Sequence, residues 1–269
     1  MGVPPVVEDV STTVVIMFII VLLGEGLRRC LRDVIPQRHH FLAMEAIFTC
    51  ELCLQMLELS VLSDAGKPGL PVMLPLIYAT IVTHCWSATC ALCNPTTAIQ
   101  HLLTSQTGIS RALEKISFQL LGGYLAWVAS MQFHKLGLTK LHAAAGSDCT
   151  SHLHTSIEEG LAVELACAFV YHSALNLVQQ TDARYRVHII GVIVAILVGA
   201  AGQLTGAMFN PALAFSLNFF CQGSSFTDNV VVYWVGPIAG MILSVGLFDH
   251  LIPAIKRLRR GPVEPEKTE

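Results

Sequence analysis

Two Asn-Pro dipeptides stand in opposite halves of the chain, Asn94-Pro95-Thr96 and Asn210-Pro211-Ala212, each led in by a long apolar run and followed by a short one. Pro at the first helical position is favourable, because its missing N–H would be unpaired there anyway. Pro95 and Pro211 therefore start two half-helices. If their N-termini meet at mid-membrane, each brings about half a positive charge from its aligned peptide dipoles. That field opposes cations and protons without an ionised side chain, while Asn94 and Asn210 offer amide N–H donors to a passing water or hydroxyl oxygen. The chemistry is selection of neutral polar molecules. The plainer role for both asparagines is to cap the helices. Their placement in corresponding halves favours pore lining, because paired breaks at membrane depth are the best sequence pointer to a transport site.

The elements that must position these residues are membrane helices. The composition is 53% hydrophobic and 13% charged, with a formal net charge of −3, and a soluble domain would carry nearly twice that charged fraction. No basic stripe interleaved with aromatics points to nucleic acid. Apolar runs of spanning length cover Phe41 to Leu62, Leu70 to Cys93, Ile116 to Phe133, Ile157 to Val178, His188 to Leu204 and Val230 to Ile252. An extra run, Val10 to Leu27, follows acidic Glu8 and Asp9 instead of a basic n-region, so it reads as an uncleaved membrane segment and not a signal peptide.

Five regions result: an N-terminal segment and basic linker (1–40), a first repeat (41–133, half-helix about 94–104), a connecting loop (134–156), a second repeat (157–253, half-helix about 210–221) and a tail (254–269). Basic residues cluster at Arg28 to Arg38, at Arg111 and Lys115, at Arg184 and Arg186, and at Lys256 to Arg260. All four fall on one side if the six spans alternate, and that side is cytoplasmic. The two halves then enter from opposite faces, an inverted repeat. Glu45 and Glu164 occupy the first span of each half at nearly equal distances before the two asparagines. A carboxylate inside a membrane helix is costly and faces the protein interior. Each is expected to brace a re-entrant loop by accepting its backbone N–H groups.

The chain resembles the aquaporin, or major intrinsic protein, family over about residues 41 to 253. Thr205-Gly206-Ala207-Met208-Phe209-Asn210-Pro211-Ala212 is similar to that family's second-loop signature, and Glu45 with Thr49 matches its first-helix Glu-x-x-x-Thr pattern. Gln119-Leu120-Leu121-Gly122 resembles its third helix and Tyr233-Trp234-Val235-Gly236-Pro237 its last. Three departures resemble the unorthodox, or superaquaporin, branch: Asn-Pro-Thr in place of Asn-Pro-Ala, Leu213 where water-selective members carry arginine, and Cys221 nine residues after Ala212.

The resemblance implies an all-α membrane protein with six transmembrane helices, two re-entrant half-helices and one pore per subunit of a homotetramer. It also implies an endoplasmic-reticulum or vesicle membrane and passage of water, glycerol or hydrogen peroxide. Carried over by position, the constriction would be formed by Leu74, Val198, Ala207 and Leu213, an apolar set suited to less polar solutes. Glu45, Glu164, Gln119 and Cys221 would support it structurally. No cofactor or metal is required, and the partners are small neutral solutes and the lipid bilayer.

Other reactive residues read as structural. Nine cysteines, at least seven of them in apolar stretches, argue against a disulfide framework, and Cys221 is expected to pack against a neighbouring helix. Cys50 and Cys53 share a helix face, which outweighs a redox role for the Cys-x-x-Cys spacing. The Cys93 thiol either faces the pore or is simply buried. Thr96 either bonds a nearby carbonyl or has little effect. Cys149, His152 and His154 read as a solvated loop instead of a metal site. His84 and His172 read as interior histidines bonded to backbone instead of proton relays. Two rival functions stand beside a channel: a non-conducting structural protein whose apolar filter dewets, and an intramembrane enzyme, which would need Cys, His and Glu side chains to converge.

Overall fold

Each long apolar run forms a helix, although the one expected over Leu70 to Cys93 stops at Ser87, and no strand forms among the described residues of the computed structural model, which are 5–88, 91–137, 139–145 and 149–255. A helix satisfies its backbone groups within one segment, which a bilayer interior demands. In chain order the helices are α1 (Pro5–Val34), α2 (Gln37–Val61), α3 (Leu70–Ser87), α4 (Pro95–Leu103), α5 (Ile109–Lys135), α6 (Lys140–Ala145), α7 (Ile157–Leu177), α8 (Ala183–Thr205), α9 (Pro211–Leu217), α10 (Phe226–Val230) and α11 (Gly236–Val245). A π-helical turn at Val231–Val235 joins α10 to α11, and a second at Gly246–Leu251 continues beyond α11, making one long final span.

Six stretches are long and apolar enough to cross a membrane: Val6–Val34, His39–Gly66, Leu70–Ser87, Ile157–Leu177, Ala183–Thr205 and Phe226–Ile255. α5 has the length, about 40 Å at 1.5 Å per residue, but is more polar because it carries Arg111, Glu114, Lys115 and Gln119. It packs along α2, and the equivalent pair in the second half is α7 with α11, while α3 meets α8 between the repeats. Both outer pairs depend on glycine at the crossing. A methyl group at Gly122 would stand 2.4 Å from the Ala46 carbonyl oxygen, and one at Gly240 would stand 2.2 Å from that of Leu165. Small residues of this kind let membrane helices approach backbone to backbone.

The first half-helix has the expected extent, with α4 capped by Asn94 and Thr104, whereas α9 stops at Leu217 instead of about 221. Asn218 ends α9 because its side chain bonds outward. Its Nδ2 donates to Ser224 Oγ at 3.1 Å and Asn229 Oδ1 at 3.3 Å, and its Oδ1 accepts from the His152 N–H at 2.8 Å. The connecting loop also contains a helix, α6, which the sequence reading treats as irregular.

α1 runs antiparallel to α2. Thr13 Oγ1 donates to Glu58 Oε1 at 3.0 Å near one end, and Arg28 meets Glu51 at 2.5 Å toward the other. Arg28 also lies 4.2 Å from the Phe48 ring centre and is only 6% exposed. It therefore does not act as a free surface charge in the first basic cluster, whereas Arg29 is exposed. The opposite face of α1, with Val15, Phe18, Leu22 and Leu23, is exposed apolar surface, suited to lipid. The Lys256 to Arg260 cluster and most of the tail lie outside the described residues.

The expected orientation is directly measurable. His154 and Tyr185 are both exposed. Single cysteines introduced there, on a background freed of other unpaired cysteines, should react with an impermeant maleimide from opposite sides of the membrane. Labelling of both from the same side would remove the inverted-repeat topology.

Candidate pore

Each half-helix is preceded by a tight reversal. Cys93 (φ 56°), Ala207 (φ 48°) and Phe209 (φ 31°) adopt left-handed backbone conformations that non-glycine residues seldom occupy. Such residues cost of order 1–3 kcal/mol each and persist only when the surroundings over-determine them. Two buried carboxylates supply that determination. Glu45, fully buried on α2, accepts the Leu92 N–H at 3.1 and 3.0 Å, the Cys93 N–H at 3.1 Å and Gln119 Nε2 at 2.9 Å, with Lys115 Nζ 3.5 Å away. Glu164, fully buried on α7, accepts the Met208 N–H at 2.9 Å, the Phe209 N–H at 2.5 Å and the Thr205 hydroxyl at 2.6 Å.

The asparagines follow at once, both buried. Asn94 Oδ1 caps α4 by accepting the Thr96 N–H at 2.9 Å, and Asn210 Oδ1 caps α9 by accepting those of Ala212 and Leu213 at 3.0 and 3.4 Å. Their amide nitrogens cross between repeats: Asn94 Nδ2 donates to the Phe209 carbonyl at 3.2 Å and Asn210 Nδ2 to that of Cys93 at 2.9 Å. An amide nitrogen carries two donors. One is held by the opposite loop, which fixes the side chain, and the other has no partner among the described residues. Capping and donation to a solute are thus compatible in the same residue. Pro95 and Pro211 sit buried at the first helical positions. The Thr96 hydroxyl is buried with no hydrogen-bond partner among the described residues, so the carbonyl bond considered for it does not form.

The four residues expected at the constriction come from three places. Leu74 on α3 packs at Gly199 on α8, where its methyl stands 3.0 Å from the position of an added Cβ. Val198 and Ala207 share one apolar cluster that includes Phe209. Leu213 belongs to a second cluster with Cys53, Met208 and Leu217. Cys93 is buried in a third with Met44 and Phe48.

Two expectations need correction. Cys221 is joined to Cys149 in a disulfide that closes a sequence separation of 72, so it does not simply pack against a helix. The odd cysteine count concealed the pair, because the partners lie in different stretches and only the fold brings them together. Backbone bonds reinforce the link: the Ser151 N–H donates to the Gln222 carbonyl and the Gln222 N–H to that of Cys149, each at 2.9 Å. The loop is therefore strapped to the outer end of α9 and is not freely solvated. Burial beside the strap holds the His152 imidazole below its ordinary pKa, partly opposed by Asp64. The second correction concerns His172, whose Nδ1 pairs at 2.7 Å with the side chain of Gln100 on α4 and not with backbone. His84 Nδ1 is buried with no partner among the described residues.

Sequence reasoning did not single out Thr205, Phe209, Asn218 or Gln100. Thr205 opens the second-loop signature, so the signal for it was at hand. Asn218 and Gln100 carry none, because their partners are remote in sequence.

The major intrinsic protein profile matches residues 39–248. The chain belongs to that family. Similar proteins include aquaporin-11 of Rattus norvegicus, 31% identical over 258 residues that cover 94% of each chain. Aquaporin-12 of Mus musculus is 33% identical over 239 residues, 86% of this chain and 82% of that one. These likenesses agree with the unorthodox branch indicated by the motif departures. The solved aquaglyceroporin from Plasmodium falciparum aligns with a TM-score of 0.66 over 80% of this chain and 98% of that one, at 12% identity. At that identity the likeness is one of fold. As a major intrinsic protein, the chain is a multi-pass membrane protein with the fold of a channel, and α1 lies wholly ahead of the region matched by the family profile.

Proposed function

We propose that the chain is a passive channel for water and small neutral solutes, glycerol and hydrogen peroxide among them, in an endoplasmic-reticulum or vesicle membrane, assembled as a homotetramer. The observation that carries this reading is the crossed pair of asparagine amides. Each is pinned by the opposite loop at the start of a half-helix and keeps one donor without a partner among the described residues. Leu74, Val198, Ala207 and Leu213 would form the narrowest region, where the absence of an arginine relaxes discrimination against less polar solutes. The Cys149–Cys221 disulfide supports an oxidising space on that face, such as the endoplasmic-reticulum lumen. Against the enzyme reading, Glu45 and Glu164 are committed to loop N–H groups and so are unavailable as acids or bases there. Against the non-conducting reading stands that second donor on each asparagine.

Stopped-flow permeability of the purified protein in liposomes to water, glycerol and hydrogen peroxide, measured side by side, separates a channel from a scaffold. Asn210→Asp sharpens the test. It sets a carboxylate oxygen against the Cys93 carbonyl and places negative charge at the meeting of two positive helix ends. Neutral-solute flux should fall about tenfold, the effect of about 1.4 kcal/mol on a barrier. Unchanged flux in well-folded protein would mean that Asn210 does not line the pore.

A further inference from the structure

Away from the asparagine pair, Glu58 in the last turn of α2 meets two side chains from the start of the connecting loop, His134 at the end of α5 and His142 on α6. His142 Nε2 stands 3.0 Å from Glu58 Oε2, and one ligand-type atom from each of the three lies within 4.8 Å of the others. His142 is fully buried, Glu58 is 4% exposed and His134 is half-buried. We propose that Glu58, His134 and His142 form a binding site for a divalent transition-metal ion of the zinc type, independent of solute conduction.

The chemistry of the set fits that class. Two imidazoles and one carboxylate suit a borderline ion such as Zn²⁺, and three protein ligands leave a fourth tetrahedral position for water. Bond lengths of 2.0–2.1 Å place tetrahedral ligand atoms about 3.3 Å apart. The Glu58–His142 pair is already at that scale, and in the proposed site the less buried His134 moves inward to complete the set. The surroundings orient the ligands as outer partners do in metal sites. Thr139 Oγ1 lies 2.5 Å from His142 Nδ1 and so holds Nε2 toward the cluster, and the Thr13 hydroxyl occupies the other Glu58 oxygen at 3.0 Å. Ser130 Oγ lies 3.4 Å from one nitrogen of His134.

A hydrogen-bonded brace would need only Glu58 and His142. The third group is what an ion explains: the His134 ring is 5.2 Å from that of His142, tilted 36°, and makes no hydrogen bond to either partner among the described residues. An apolar pocket of about 250 Å³, bordered by Ile16, Ile20, Leu54 and Phe133, reaches both Glu58 and His134. This set escapes any spacing rule, because Glu58 lies more than seventy residues before either histidine.

The test uses full-length protein purified without a polyhistidine tag, stripped with chelator and titrated with Co²⁺. One Co²⁺ per chain with the intense visible absorption of a four-coordinate ion, displaced by Zn²⁺, is the expected result. His134→Gln and His142→Gln should each abolish that absorption, and Thr139→Val should weaken binding by about 10–100-fold, the usual effect of removing an outer partner. Absence of the four-coordinate band, or a band unaltered in folded His134→Gln protein, overturns the proposal. Because His134 is the least buried of the three, its variant keeps the test valid if His142→Gln fails to fold.

Discussion

Replacing Glu164 with alanine should eliminate the folded protein. The carboxylate satisfies the Met208 and Phe209 N–H groups and the Thr205 hydroxyl, all buried. A buried donor left unpaired costs about 1–3 kcal/mol, so three together amount to about 3–9 kcal/mol, comparable with the whole stability of many domains. Two strained residues, Ala207 and Phe209, lose their restraint at the same time. Glu164→Gln, which keeps one acceptor oxygen, should fall between the alanine variant and the parent. Detergent-solubilised protein followed by fluorescence size exclusion after a heating series reads the difference. A Glu164→Ala protein that elutes and melts like the parent would show that the second loop holds its shape without the carboxylate.

The other large effect concerns solute choice. Leu213→Arg should lower the glycerol-to-water permeability ratio about tenfold. A long guanidinium narrows the passage and supplies donors that replace the hydration of a small polar solute. Leu213 immediately follows Ala212 at the start of α9, and its backbone N–H already points to Asn210 Oδ1, so the helix itself should tolerate the change. The cost lies in the side chain, which leaves an apolar cluster with Cys53 and Met208 and brings a charge into the membrane interior. Expression and monodispersity therefore precede any flux measurement. A folded variant with an unaltered ratio would place residue 213 away from the filter, and the assignment of Val198 and Ala207 would fall with it.

Local physics made much of this molecule readable in advance. Helices declare themselves by apolar length, and the half-helices by Asn-Pro. Glu45 and Glu164 stand out because an intramembrane carboxylate always needs an explanation. The positions of α4 and α9 follow from the same signals, although the end of α9 does not. Asn218 terminates it through bonds to residues 224 and 229 beyond the helix and to residues 151 and 152 in the connecting loop, and local helix propensity records none of these side-chain partners. The Cys149–Cys221 link was hidden for the same reason. Arg28 shows a different blindness: charge counting places every arginine at the surface, while a buried partner on the next helix draws this one inward.

The crossed bonds between Asn94 and the Phe209 carbonyl, and between Asn210 and that of Cys93, bear on how damage spreads through the protein. Neither loop is a finished object by itself, since each supplies the acceptor that orients the other's amide. A lesion in one loop therefore releases a group in the other. The penalties for altering the two asparagines should overlap instead of adding, as they do for residues sharing one network. The two repeats, opposite in direction and remote in sequence, behave at their junction as one mutational unit, so that a compensating change for a defect in either half can arise in its counterpart.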